Sequence, residues 1–491
     1  MRLWKSQLSM NMNSMRCLRS LVFAVLVTTV QQSTDPGDWP ARPRTGPRIT
    51  VRSFKLNDYN AHFDGQWQGA KVASDGNVYF FSSTHGGGKD GAGFFQFNPR
   101  TNELTLKIAD VSVAVGEKNA GWGPGQTIPQ GKVHSDIVEH NGWLYAVTHL
   151  ADDSRRANWQ GSHVFGYNIA TGTFKDLGIP KPRYTGYSGI SLDRTRNYLY
   201  VYLTPAFAAE YNDLRNPAYG PHIFRYDISN PDAPEGPVDM GRCNIGIPVG
   251  ADNANFVQFT DSIGNTWFTL RSDPGSLYKL PAGGAAGSYV RYAGAQPQVI
   301  SPMNGLAAPP NVQNERYWGW GSAIGDDKFI FTMSIAAGSG SGGIYTFDAA
   351  IAQKEPGRAF TLIRNIGATN LGMAYDDGIV YFTRQIPSGS TNIETNATQG
   401  DAGHLMSLNL ATRAVADHGL IEDQSRRRPW RVESMSASNG NVFMSGDWYL
   451  LSGPGGSVAE SGTHRYNPAN HNYVPLARGQ FFAVVKVAQK Q

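Results

Sequence analysis

The chain has 491 residues, of which 40% are hydrophobic and 11% aromatic, so it can bury a large core. Its 56 glycines and 28 prolines favour many short strands joined by turns over long helices. With 43 basic and 39 acidic residues the charge is nearly balanced, so net charge gives no argument for a nucleic-acid partner.

The first 32 residues have the layout of a secretory signal peptide. Four basic residues, with no acidic residue among them, precede an apolar run over 21–30 that is too short to span a bilayer. We expect residues 1–32 to be removed on export, which leaves 39 basic and 39 acidic residues. The mature chain is then expected not to contact the membrane. An uncleaved membrane anchor is the alternative. Residues 33–49 are a Pro- and Gly-rich lead-in to the folded domain, which we place at 50–491.

Cysteine usage excludes a disulfide-stapled fold. Cys17 lies within the predicted signal, so Cys243 is the one cysteine of the mature chain and cannot pair within it. A zinc site of the CxxC type is excluded for the same reason. An exported protein of this kind must be held by its core or by closure of a ring. We expect Cys243 to be a buried, small apolar residue.

Residues 50–491 contain one pattern seven times. In each unit a short strand is followed by an apolar and aromatic strand, then by a third strand and a weaker fourth one. The apolar and aromatic strands lie at 78–83, 143–149, 198–204, 266–272, 329–334, 379–385 and 442–448. Seven units of four antiparallel strands predict an all-β fold, a seven-bladed β-propeller. A two-sheet sandwich is the alternative, but it would not require a four-stranded unit to recur.

Two terminal strands have no unit of their own. One lies at 49–56 and the other at 481–487. We expect one of them to complete a blade that begins at the opposite terminus, because this arrangement closes a propeller ring.

Polar residues of several units are expected to converge on one face of the propeller. The innermost strands start, the second strands end and the third strands start on that face, where long loops also lie. The candidates are His134 and Tyr187 at innermost strands, His149, Arg271 and Arg384 at second strands, His163 at a third strand, Tyr211 in the loop of the third unit and Arg225 within its third strand. The densest group comes from the second and third units.

The histidines differ in how far their position favours function. His134 and His149 have no histidine at the matching position of the other units, so each is a site residue or a packed imidazole. His163, His222 and His404 share one repeat position, which indicates a structural role at the start of the third strand for His222 and His404.

The types of side chain on this face suit β-elimination beside a uronic acid. An arginine or protonated histidine neutralises the carboxylate, a base removes the C5 proton and an acid protonates O4. Tyr211 is a candidate for proton transfer or is simply exposed, and Arg225 binds the carboxylate or pairs with a neighbouring unit. Trp159 and Trp318 would suit sugar stacking. The sequence lacks G-x-S-x-G, HExxH and a P-loop, which disfavours serine hydrolases, zinc proteases and nucleotide-binding proteins.

Several segments resemble the secreted propeller ulvan lyases of polysaccharide lyase families 24 and 25. They are QWQGAKVASDGNVYF, QGKVHSDIVEHNGWLYAVTHL, GSHVFGYNIATGTFKDLG and GPHIFRYDIS, and the resemblance is densest over 60–230. It implies a secreted enzyme that cleaves ulvan, a sulfated polymer of rhamnose and uronic acids, to give unsaturated uronate ends.

The resemblance also implies roles for individual residues. His149 and Tyr211 transfer protons, His163 assists and Arg225 neutralises the uronate. His134 in the role of His149, with His149 assisting, and Tyr187 in place of Tyr211 remain alternatives. The substrate-binding set comprises His134, His163, Tyr187, Arg271 and Arg384.

The expected partner is an acidic sulfated polysaccharide, with no nucleic acid, and the chain is expected to be a monomer. The chemistry requires no cofactor, although some members of the group carry a structural divalent metal ion, whose ligands the sequence does not identify. A non-catalytic glycan-binding propeller and a lyase for another uronate, such as oligogalacturonate, are the alternative functions.

Overall fold

The structure is a computed structural model. It describes residues 48–66, 69–84, 90–117, 127–150, 159–206, 220–243, 257–270, 273–293, 316–325, 327–335, 341–355, 359–365, 372–384, 403–424, 429–449, 466–467, 472–473 and 478–487. The predicted signal at 1–32 lies outside these ranges. Within them, no helix has the length and apolar character needed to cross a membrane.

Five sheets of four or five strands follow one another along the chain. The first contains β2 (Lys71–Val72), β3 (Val78–Ser82), β4 (Gly93–Asn98) and β5 (Glu103–Ile108). The second contains β6 (Lys132–Val133), β7 (Val138–His140), β8 (Trp143–His149), β9 (Val164–Asn168) and β10 (Phe174–Asp176). The third contains β11 (Tyr184–Asp193), β12 (Tyr198–Pro205), β13 (His222–Asp227) and β14 (Glu235–Arg242).

The fourth and fifth sheets repeat this arrangement. The fourth contains β15 (Gln258–Thr260), β16 (Thr266–Leu270), β17 (Asp273–Leu280) and β18 (Val290–Ala293). The fifth contains β19 (Arg316–Ala323), β20 (Lys328–Ile335), β21 (Ser341–Asp348) and β22 (Phe360–Asn365). Two short helices, α1 (Val111–Ala114) and α2 (Ala349–Ala352), are each capped by the aspartate that precedes them. The fold is therefore all-β, as predicted.

The sixth sheet has eight strands. Its members are β1 (Arg48–Lys55), β23 (Met373–Asp376), β24 (Ile379–Arg384), β25 (His404–Asn409), β26 (Val415–Asp423), β27 (Pro429–Ser438), β28 (Asn441–Tyr449) and β31 (Arg478–Lys486). A separate pair joins β29 (Tyr466–Asn467) to β30 (Asn472–Tyr473).

The prediction of seven separate blades is wrong in its count. Over the described ranges five sheets have the size of a single blade, and the strands assigned to the last two units share the eight-stranded sheet. The cause is β1, which pairs in parallel with β26 through 48–51 and antiparallel with β31 through 52–55. The ion pair of Arg48 with Glu422, at 2.9 Å, strengthens the first of these pairings.

The sheets form a propeller-like ring because the first one packs against both of its neighbours. Phe81 of β3 lies 5.8 Å from Phe165 of β9, between ring centroids. On the other side, Phe80 of β3 stacks on Phe482 of β31 at 4.4 Å. Both termini take part, since β1 pairs with β31 and β31 pairs with β28. Cys243 is fully buried in a similar interface between the third and fourth sheets.

The innermost strands surround a cavity of about 420 Å³. Its lining includes Lys71, Asp136, Ser191, Gln258, Ser322, Ala374 and Glu433. Burial raises the pKa of Asp136 to about 6, although the charge of Lys71 opposes this change. The face predicted from the sequence to carry the site is the one where the second strands end, as β8 does at His149.

Candidate active site

Three aromatic rings from two neighbouring sheets meet on this face. His134 follows β6, His149 ends β8 and Tyr187 lies within β11. Their ring centroids are 4.6 Å apart for the two histidines, 4.8 Å for His134 and Tyr187, and 5.2 Å for His149 and Tyr187. His134 is 4% exposed, whereas the other two are half-buried. We refer to these three residues as the ring cluster.

A bulge in β11 places Tyr187 in the ring cluster. Gly186 pairs with Leu203, and the next paired residue of β11 is Ile190, which faces Val201. An advance of four residues along β11 therefore matches an advance of only two residues along β12. Bulges of this kind redirect side chains and are common beside active sites. Tyr187 follows Gly186 directly and is turned towards the two histidines.

Gly186 permits the close approach of the two sheets. A Cβ atom at this position would lie 2.5 Å from the Thr148 carbonyl oxygen and 2.8 Å from Val147 Cγ2. Its amide donates to Ser162 Oγ at 2.7 Å, which holds the strand in place. The tight packing explains how residues of β8 and β11 come within reach of one another.

The contacts of His149 determine which of its nitrogens is basic. Nδ1 donates to the Gly186 carbonyl oxygen and lies 2.9 Å from Thr185 Oγ1, which itself accepts from the Leu150 amide. A carbonyl oxygen can only accept, so Nδ1 carries the proton in the neutral imidazole. The lone pair is then on Nε2, the ring nitrogen that is able to accept a proton.

His163 is buried as a charged group between two carboxylates. It is 7% exposed, with Nδ1 3.0 Å from both Asp176 oxygens and Nε2 3.3 Å from Glu117 Oε1. Burial opposes its charge, but Asp176 and Glu117 outweigh this effect and raise the pKa of His163 to about 9. Both imidazole nitrogens thus face carboxylates, and the assisting and substrate-binding roles expected for His163 stay predictions.

The matching histidines of two other repeats have the same kind of partner. His222 Nδ1 lies 2.8 Å from Asp239, and His404 Nδ1 lies 2.9 Å from Asp417. In each case the histidine at the start of a third strand contacts the fourth strand of its sheet. The shared position is thus a structural one in all three repeats.

A hydrogen-bond chain connects the His163 ion pairs to the strand that carries His149. Gln130 Nε2 donates to Glu117 at 2.7 Å, and Thr148 Oγ1 donates to Gln130 Oε1 at 2.6 Å. The His163 amide donates back to Thr148 Oγ1 at 2.9 Å. His163 thus positions the end of β8, where His149 lies.

The protonated His163 makes the stability of the protein depend on pH. Its folded-state pKa of about 9 exceeds the unfolded value, so its contribution is complete below about pH 6.5 and is lost as pH rises through about 9. We expect the free energy of unfolding of the wild type to fall by an amount on the order of 2 kcal/mol over this window. The melting temperature should fall with it. Thermal unfolding at a series of pH values measures this slope.

The matched variants for this prediction are His163→Gln and His62→Gln. His62 pairs with Asp90, but its side chain is half exposed, so its loss should leave the slope unchanged. His163→Gln should be less stable at pH 6.5 and have a flatter slope. An unchanged slope in His163→Gln would show that His163 does not carry the charge.

Arg225 does not reach the ring cluster. It pairs with Tyr200 in the middle of the sheet, and its guanidinium carbon lies 4.5 Å from the ring centroid of Tyr198. Tyr198 begins β12, whereas Leu203 near the other end of that strand pairs with Gly186. The assignment of Arg225 as the group that neutralises the uronate is therefore not supported by its position.

The other predicted residues fall in different places. Tyr211 and Arg271 lie outside the described residues, and Arg384 ends β24, where its backbone pairs with His404. Trp159, expected to stack on sugar, is 1% exposed and its indole donates to the Tyr184 carbonyl oxygen at 3.0 Å. The expectation for Trp159 is wrong because its ring belongs to the core.

Three positioning residues were not predicted from the sequence. Thr185 and Gly186 hold His149, and Gln130 links Thr148 to Glu117. Their one visible signal is that Thr185 and Gly186 directly precede Tyr187 at the start of an innermost strand. No metal ligands can be assigned within the described ranges, where no three His, Cys, Asp or Glu residues come close enough to share an ion.

Comparisons with known proteins give distant similarities. No family profile and no curated protein matches the sequence. Among solved structures, an oligogalacturonate lyase in complex with manganese is 9% identical, with a TM-score of 0.44 over 89% of this chain and 90% of that chain. An oligogalacturonate lyase from Vibrio parahaemolyticus is 8% identical, with a TM-score of 0.39 over 89% and 97%.

A third structure, the GH74 enzyme of Niastella koreensis, is 10% identical, with a TM-score of 0.46 over 81% of this chain and 52% of that chain. These similarities are too distant to carry an argument about function. The resemblance to ulvan lyases accordingly stays a prediction.

Proposed function

We propose that this protein is a polysaccharide lyase that cleaves an acidic polysaccharide by β-elimination at the ring cluster. The observation that carries the proposal is the approach of His134, His149 and Tyr187, from three separate segments, to centroid distances of 4.6–5.2 Å. Two imidazoles and a phenol can supply the base, the acid and the group that binds the carboxylate at neutral pH.

The orientation of His149 supports the following proton transfers. Nε2 of His149 removes the C5 proton of the uronate, and the electron pair of that bond forms the C4–C5 double bond as the C4–O4 bond breaks. The phenol of Tyr187 gives its proton to O4. His134 donates a hydrogen bond to the uronate carboxylate, the role that the resemblance to ulvan lyases implies for Arg225. After the products leave, the proton on His149 returns to Tyr187.

Ulvan is the substrate we propose, because the segment QGKVHSDIVEHNGWLYAVTHL, which resembles ulvan lyases, holds both His134 and His149. Secretion of the chain follows from the predicted signal at 1–32. The partner is the sulfated polymer alone, and the enzyme acts as a monomer without a catalytic cofactor.

Incubation with ulvan tests the proposed activity. Protein secreted from cells that express the full chain is mixed with ulvan, with oligogalacturonate or with a neutral polysaccharide, and the ultraviolet absorbance of unsaturated uronate is followed. We expect absorbance to rise with ulvan and to stay constant with the neutral polymer. A rise in absorbance with oligogalacturonate and not with ulvan would identify oligogalacturonate as the substrate. Binding of ulvan without any rise in absorbance would identify a glycan-binding propeller.

A further inference from the structure

A second group of basic side chains lies beside the ring cluster on the third sheet. Lys181 belongs to the loop that leads into β11 and is half-buried. Its Nζ lies 3.3 Å from His222 Nε2 and 4.4 Å from the ring centroid of Tyr184. A lysine is ordinarily a mobile point charge, but these two contacts fix the direction of this ammonium group.

The tautomer of His222 orients the Lys181 amino group. Nδ1 of His222 lies 2.8 Å and 3.1 Å from the two oxygens of Asp239, so Nδ1 carries a proton that it donates to the carboxylate. Nε2 then accepts from the Lys181 ammonium. Asp239, His222 and Lys181 thus form a chain in which the carboxylate acts on Lys181 through the imidazole. Burial lowers the pKa of Lys181, and Asp239 opposes this effect.

A second cation lies next to this chain. Arg242, the last residue of β14, faces His222 across the strand pair. Its side chain crosses Gly220, where a Cβ atom would lie 2.8 Å from Arg242 Nε and where φ is +148°. The glycine therefore leaves the room in which this guanidinium stem packs.

The register of the third sheet gives the separation of the two groups. Gly186, next to Tyr187, pairs with Leu203, and Leu203 pairs with His222 on the other side. Two strand spacings correspond to ~10 Å. A polysaccharide that crosses β11, β12 and β13 would therefore contact the ring cluster with one sugar and Lys181 with another.

We propose that Lys181 and Arg242 form a subsite for an anionic group, a sulfate or a carboxylate, on a sugar that neighbours the cleaved uronate. His222 and Asp239 are positioning residues for Lys181. This inference rests on the proposed function and makes the substrate a polyanionic oligosaccharide rather than a single sugar acid. A charge-assisted contact of this kind also makes binding sensitive to salt.

Lys181→Gln tests the subsite, because it removes the charge and keeps most of the side-chain length. We expect the KM for ulvan to rise about tenfold while kcat stays within about twofold, and the Kd of a ulvan oligosaccharide to rise about tenfold by titration calorimetry. Lys181→Arg should restore most of the affinity. Lys107→Gln, the same change on the exposed face of β5, is the control and should change neither constant.

Desulfated ulvan distinguishes the two anions. If the subsite binds sulfate, the tenfold difference between wild type and Lys181→Gln disappears on desulfated substrate, and if it binds carboxylate the difference persists. Equal KM, equal Kd and equal salt dependence for wild type and Lys181→Gln would overturn the subsite. If Lys181→Gln does not fold, Arg242→Gln is measured in the same way and decides the question.

The outcome is separable from that of the proposed function. Calorimetry requires no turnover, so weaker binding by Lys181→Gln without any unsaturated product would retain the subsite and reject the lyase. Normal turnover with an unchanged KM in Lys181→Gln would retain the lyase and reject the subsite.

Discussion

Replacement of His149 by glutamine is expected to lower kcat on ulvan by about 10³-fold, as loss of a general base does. Glutamine can still donate a hydrogen bond to the Gly186 carbonyl oxygen, but it has no lone pair of suitable basicity where Nε2 stands. The melting temperature should change by no more than about 2 °C, since the side chain is half-buried and lies at the end of β8. Initial rates of absorbance increase and thermal unfolding measure the two quantities.

Tyr187→Phe should have an effect of similar size, about 10²–10⁴ in kcat, because only the phenol oxygen is removed. Tyr59→Phe is its control, since Tyr59 is exposed and donates to the Leu104 carbonyl oxygen on a different sheet. Tyr211→Phe separates the two assignments of the proton donor and should leave kcat within about threefold. Full activity in Tyr187→Phe together with loss of activity in Tyr211→Phe would return the role to Tyr211.

Gly186→Ala is expected to reduce both activity and stability. The new methyl group would lie 2.5 Å from the Thr148 carbonyl oxygen, a backbone atom that cannot move without shifting β8. Overpacking of this kind typically costs about 1–3 kcal/mol in the free energy of unfolding. Because Tyr187 and the partner of His149 Nδ1 both depend on this segment, we expect kcat to fall by at least about tenfold in protein that remains folded.

Gly325→Ala is the matched control, because a Cβ atom there meets nothing within 4 Å. It should alter neither the melting temperature nor kcat. If Gly186→Ala behaved like Gly325→Ala, the close approach of β8 and β11 would not be what aligns the ring cluster.

The strands could be predicted from sequence because each combines apolar periodicity with a turn. The apolar strands predicted at 78–83 and 143–149 correspond to β3 and β8. The closure of the ring by a terminal strand was also predictable, since β1 and β31 had no unit of their own. The parallel pairing of β1 with β26 could not be predicted, because it joins residues far apart in sequence and has no local pattern.

The site was predictable in part. Strand ends place His134 and His149 on one face, and both belong to the ring cluster. Tyr187 was one of two tyrosine candidates, because a bulge such as that of β11 leaves no signature in the sequence. Arg225 lies three residues beyond His222 along β13, in the middle of the sheet and away from the strand ends where the ring cluster lies.

The most direct test of the account is a crystal structure of Tyr187→Phe with a bound ulvan oligosaccharide. We predict a uronate ring over the ring cluster, with C5 about 3–3.5 Å from His149 Nε2 and the carboxylate on His134. An oligosaccharide bound elsewhere on the protein, with His134 and His149 clear of any sugar, would contradict the assignment of this cluster as the catalytic centre.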